Sequence, residues 1–100
     1  ATVESMLAAA TSSVAPGDLV LYNAGMDIYE GCQIGGLRGI TADIIAVREQ
    51  LVAMWIRAQG LRVAACLAGG YAGQDFPHED LIALHAASVA TICPPATGAA

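Results

Sequence analysis

Two side chains in this sequence stand where they could do chemistry together, Asp27 and Tyr71. Asp27 comes just after Asp18-Leu19-Val20-Leu21-Tyr22-Asn23, a short apolar run bounded by turn residues. Such a run reads as a strand buried on both faces, ending at Asn23. Tyr71 follows a second run, Arg62 to Leu67, which stops in Ala68-Gly69-Gly70. In open α/β sheets ligands bind beyond the carboxyl ends of the strands. If the two strands are parallel, an acid and a phenol therefore leave the sheet at one edge.

Asp27 in isolation would read as a solvated loop carboxylate or a helix cap. Set on a strand end and preceded by Asn23-Ala24-Gly25, it becomes a rigidly based hard oxygen donor, suited to zinc as one of several ligands. Tyr71 in isolation would read as a rim aromatic packed on the next helix. The preceding glycines, Gly69 and Gly70, let the chain approach a ligand closely and aim the phenol across the sheet edge, where its hydroxyl could donate to a developing oxyanion. His78 and His85 are seven apart and do not form the i, i+4 histidine pair of a helical zinc site. His85 reads as a partly buried structural histidine, and His78 as part of an exposed helix start. Gly69 to Gly73 could cradle a phosphate, but without the spacing or acidic partner of a dinucleotide fingerprint.

The elements that must carry these residues follow in order. Val3, Met6, Leu7, Ala10 and Val14 recur at helical spacing, which predicts a helix over 2–14, closed by Ala15-Pro16-Gly17. After the first strand, Ala24 to Ile40 holds five glycines in seventeen residues, together with Asp27 and Glu30, and reads as a functional loop. Thr41 is a suitable N-cap for a helix that stops at Gly60. Its predicted buried stripe is Ile44, Val47, Leu51, Met54, Trp55 and Ala58, with Asp43, Arg48, Gln50, Arg57 and Gln59 outward. Beyond the second strand, a polar loop over Ala72–Phe76 leads to Pro77 and a third helix. That helix carries Leu81, Ile82, Leu84, His85, Val89 and Ile92, and Pro94-Pro95 end it. The tail over 94–100 is expected to fray. The order α-β-α-β-α defines an α/β chain with parallel strands.

The totals suggest a part rather than a whole. The 100 residues form a single partial domain, 56% hydrophobic and only 13% charged, a composition poor in the polar residues that a small free-standing domain needs. Two strands do not make an independently stable sheet. The expectation is that this surface is hidden in a homo-oligomer or against the rest of a larger body. A first residue of alanine, Ala1, points to processing or excision.

A formal charge of −5 argues against a nucleic-acid surface and against docking on anionic lipid. There is no apolar run of membrane-spanning length and no charged-then-apolar leader. Cys32, Cys66 and Cys93 are odd in number and without CxxC spacing, neither a disulfide framework nor a cysteine zinc site. Cys66, mid-strand, reads as packing, and the setting as a reducing cytoplasm.

Taken together, Tyr22-Asn23-Ala24-Gly25-Met26-Asp27-Ile28-Tyr29-Glu30-Gly31, Ile34-Gly35-Gly36-Leu37 and Ala68-Gly69-Gly70-Tyr71 resemble the histone deacetylase superfamily. The wording is similar to the class IV branch and its bacterial, acetoin-utilisation-type relatives. The likeness runs over about residues 3 to 93 and corresponds to the C-terminal third of such a domain. It implies part of a three-layer arginase/deacetylase α/β fold. It also implies zinc-dependent hydrolysis of an acyl-lysine or an acylated small molecule. On this resemblance Asp27 is one of three zinc ligands, Tyr71 polarises the amide carbonyl, and Gly69 and Gly70 form pocket wall. Two departures stand out. Cys32-Gln33 replaces the Asp-Arg that relatives carry after the glycine at Gly31, and the paired histidines and Asp-x-His motif of the family are absent. With one zinc ligand and no general base, these 100 residues are expected to be inactive alone.

Overall fold

The computed structural model describes residues 2–94; the expected fraying of 94–100 falls, beyond Pro94, outside the described residues. The chain runs α1 (Val3–Ala10), a 3₁₀ turn (Thr11–Ser13), β1 (Leu19–Gly25), α2 (Ala42–Ala58), β2 (Arg62–Ala68) and α3 (His78–Ile92). It is an α/β fold of three helices and a two-stranded parallel sheet.

Polar side chains define where the helices begin and end. Thr2 and Ser5 form a reciprocal capping box at the start of α1. That helix does not run to residue 14 as the spacing predicted. It tightens after Ala10, where the hydroxyls of Thr11 and Ser12 bond back to the Leu7 and Ala9 carbonyls. Such local bonds compete with the helical ladder. Thr41 caps α2 as expected, its hydroxyl accepting from the Ile44 amide at 3.3 Å. Gly60 turns the chain into β2 with φ +67°, a left-handed conformation natural to glycine after a helix.

The strands pair in register from Leu19 opposite Arg62 to Gly25 opposite Ala68. The first strand thus reaches two residues past Asn23, and both strands end at one level. The buried residues fall into two clusters, and among the described residues the helices cover one face of the sheet, giving two layers. One cluster joins Val52, Ala53, Ile56 and Ile92 to the inward strand residues Tyr22, Val63 and Ala65. The other, Met26, Cys32, Ile45, Phe76 and Leu84, lies under the loops at the strand ends. The opposite sheet face is bare. Leu19, Leu21, Ala64 and Cys66 are all exposed, so β1 is not buried on both faces and Cys66 is not packing.

On α2 the buried face is Ile45, Glu49, Val52, Ala53 and Ile56, one position out of phase with the predicted stripe. Ile44, Val47 and Met54 are exposed instead. This helix is apolar on most sides, so periodicity alone could not phase it. What phases it is a carboxylate, Glu49, turned inward. Along α3 the buried residues are Leu84, Ser88 and Ile92, while Ile82 and Val89 face out. Among the described residues, no helix is long and apolar enough to cross a membrane.

Candidate functional site

The sheet places Asp27 two residues beyond the end of β1 and Tyr71 three beyond the end of β2, on the same side. The ladder continues one step past the strands, with the Met26 amide donating to the Ala68 carbonyl at 3.0 Å. Met26 is fully buried and Asp27 is exposed, so the alternation of the strand carries through the turn and presents the carboxylate outward.

Asp27 meets the segment that carries Tyr71 directly. The Gly70 amide donates to Asp27 Oδ1 at 2.7 Å. Gly69 and Gly70 have φ of +60° and +71°, where a side chain would be strained. Space excludes one as well: a Cβ on Gly69 would lie 2.5 Å from the Asp27 Cγ, and one on Gly70 2.7 Å from the Met26 Cβ. The glycine pair is therefore a seat for the aspartate before it is the wall of any pocket.

Tyr71 itself is 79% exposed, so it is not a packed rim aromatic. It borders a cleft of about 140 Å³ with Cys32, Gln33, Ile34, Ala72 and Gly73. The floor of this corner is the Cys32 thiol, which donates to the Met26 carbonyl at 3.3 Å. Burial pushes that thiol up from its ordinary range; the Tyr71 backbone amide pulls the other way, and the Asp27 carboxylate adds a lesser push upward. Behind it, Phe76 is 1% exposed and stacks obliquely on Tyr29, ring centroids 5.1 Å apart. The polar loop expected over Ala72–Phe76 is thus pinned at its end by an aromatic anchor, with a tight Gly73–Phe76 bridge between. Burying such a side chain is worth about 1.5–3 kcal/mol.

A second set of polar residues, missed by the sequence reading, lies beneath the strand end. Glu49 is 1% exposed and accepts the hydroxyls of Tyr22 from β1 and Ser88 from α3. Arg48, expected to face outward, folds in. Its Nε donates to Glu49 Oε1 at 2.8 Å and its Nη1 to the Gly25 carbonyl at 2.6 Å. Burial would raise the Glu49 carboxyl, but the donors from Arg48, Ser88 and Tyr22 outweigh it and hold Glu49 below the usual carboxylate range. The Tyr22 phenol is pushed well above its ordinary range, by burial first and then by its bond to Glu49. A glutamate does stand in phase with Ile45, Val52 and Ile56, but Ile44, Val47, Leu51 and Met54 form a competing apolar face, so the spacing gave no signal by itself.

The histidines stand as expected, His78 exposed at the start of α3 and His85 partly buried. His85 lines a larger apolar groove of about 530 Å³ between α3 and β2, which shares no residue with the Tyr71 cleft.

As a metal ligand, Asp27 fits one place in a set: one oxygen is held by Gly70, and the other carries no protein hydrogen bond among the described residues. Those residues contain no group of three His, Cys, Asp or Glu able to hold an ion. No protein-family model matches the chain, and no solved structure matches it.

Proposed function

We propose that this chain is the C-terminal part of a zinc-dependent deacetylase-like amidohydrolase of the histone deacetylase superfamily, with the three-layer fold completed by chain outside these residues. The observation that supports this reading is the seating of Asp27 on Gly69-Gly70 at the shared end of two parallel strands, immediately before Tyr71. Asp27 would supply one carboxylate oxygen to the metal. Zinc, when bound, polarises an amide carbonyl and lowers the pKa of a bound water. Tyr71 donates its phenol proton in a hydrogen bond to the carbonyl oxygen as that oxygen gains charge. Gly69 and Gly70 keep the approach to the carbonyl clear of side chains, and the substrate is an acyl-lysine or an acylated small molecule. Three unpaired cysteines favour a reducing, cytoplasmic setting.

The test is the coding sequence upstream of Ala1, followed by an assay. If paired histidines and an Asp-x-His motif are encoded there, the extended protein should release acetate from an acetyl-lysine peptide, and Asp27→Asn and Tyr71→Phe should each abolish most of that release. An extended protein that lacks those ligands overturns the reading. So does tight stoichiometric zinc binding by the 100-residue chain, because one carboxylate cannot hold it.

The bare sheet face supports a second, compatible reading, a homo-oligomerising module. Leu21 is 72% exposed and Leu19 55% exposed on a two-stranded sheet whose outer edges pair with no strand among the described residues. A phosphate-binding turn at Gly69–Gly73 is disfavoured, since the Gly70 amide is already given to Asp27 and its negative charge would repel the anion.

A further inference from the structure

Asp27 is held from in front by the Gly70 amide, and its strand is held from behind by Arg48. The Arg48 guanidinium reaches in two directions at once, with Nε on Glu49 Oε1 at 2.8 Å and Nη1 on the Gly25 carbonyl at 2.6 Å. Gly25 is the last residue of β1 and stands two before Asp27. Glu49 is itself immobilised by hydroxyls from β1 and α3, so the arginine is braced against three elements. A buried ion pair is weak evidence for stability, because its desolvation offsets its attraction. This pair carries a further cost, since Arg48 Nη2 is buried with no acceptor. An apolar side chain at this position would carry neither cost. What the planar fork supplies is geometry, a fixed distance between the middle of α2 and the end of β1.

The geometry points to Arg48 as a positioning residue for the Asp27 carboxylate, with Glu49 as its anchor. Through the Gly25 carbonyl it sets where the chain leaves the sheet, and hence whether Asp27 Oδ1 meets the Gly70 amide. As a role in metal ligation this rests on the proposed deacetylase reading; as a statement about the position of Asp27 it does not.

The experiment is amide and guanidinium NMR on the full chain. In the unaltered protein the Arg48 Nε–H and one Nη–H pair should be resolved and slow to exchange, as donors to fixed acceptors are; guanidinium protons that exchange as fast as those of the exposed Arg57 would overturn the proposal. In Arg48→Met the Gly70 amide should move toward an unbonded shift and lose on the order of tenfold in exchange protection relative to the β1–β2 ladder amides. Arg48→Met with Glu49→Gln leaves no unpaired buried charge and should show the same selective loss. Ile56→Ala, a core truncation two turns along α2 from Arg48, should lower ladder and Gly70 protection together. Equal loss at Gly70 and the ladder in the Arg48 variants would reduce the arginine to a packing role and sink the idea. If either variant fails to fold, the guanidinium exchange of the unaltered chain decides. An upstream sequence without zinc ligands would remove the deacetylase reading and leave every one of these outcomes unchanged.

Discussion

The Gly70 amide and the Asp27 carboxylate, forty-three residues apart, close a 2.7 Å hydrogen bond across the ends of two parallel strands. Because Gly70 is buried and Asp27 exposed, the bond joins the interior of one turn to the solvent side of the other. It leaves the other carboxylate oxygen against Gly69, with no protein hydrogen bond among the described residues. The bond depends on a residue without a Cβ at both Gly69 and Gly70, and that makes it open to test.

Gly69→Ala should unseat the carboxylate while leaving the strands paired. A methyl group at 2.5 Å from the Asp27 Cγ cannot be accommodated without moving that short side chain, and φ of +60° adds backbone strain. Together these should cost about 1–3 kcal/mol, read as a lowered urea midpoint with unchanged slope. Asp27→Asn, which keeps an acceptor for the Gly70 amide, should cost under about 1 kcal/mol in the same measurement.

Glu49→Ala is expected to be among the most damaging single changes in the chain. It strips acceptors from Arg48, Tyr22 and Ser88 at once and leaves a guanidinium buried without its partner. Breaking a buried pair from one side costs about 3–5 kcal/mol. Chemical denaturation showing a loss below about 1 kcal/mol would mean that Glu49 is solvated in solution.

The same network sets the pH range of stability. Glu49 has a depressed folded pKa, so its contribution is complete above the unfolded carboxylate value of about 4.3 and is lost as pH falls toward the lower folded value. Tyr22 has a raised folded pKa, so its contribution is complete below about 10 and is lost as pH rises beyond that. Thermal midpoints measured against pH should show a plateau between these limits. Glu49→Gln should flatten the acid limb and Tyr22→Phe the alkaline one.

The three thiols should separate by burial. Cys66 and Cys93 are exposed, while Cys32 is buried and its thiolate disfavoured. Brief alkylation of the native chain followed by mass spectrometry should find two modified cysteines, with Cys32 labelling only after denaturant is added.

If copies of the chain associate through the bare sheet face, Leu21→Lys should reduce the mass seen by light scattering toward that of a monomer. The substitution removes apolar contact and brings like charges together at a self-complementary surface. An unchanged mass would direct the search to another surface.

Much of the framework was legible in the order of residues, because local chemistry specifies it. Thr41 and Gly60 bound a helix through backbone groups a few positions away, and Pro77 starts another in the same way. Two short apolar runs with a helix between them lead to parallel strands, and parallel strands bring Asp27 and Tyr71 to one edge. That convergence follows from pattern and chain topology alone.

Only the folded chain decided which way the side chains face. Arg48 and Glu49 are neighbours on a helix apolar around most of its circumference, and nothing local says that the charged pair turns inward. It does so because Tyr22, Gly25 and Ser88, from elements far apart in sequence, supply the partners that make a buried carboxylate tolerable. Phe76 ends a polar loop yet anchors a core, since Met26, Cys32, Ile45 and Leu84 converge on it from other elements. Cys66 and Leu21 have the makings of core residues and lie bare, because the described helices cover the other face of the sheet. Local spacing determines what an element is; the direction in which it faces is set by which distant groups can satisfy or cover it.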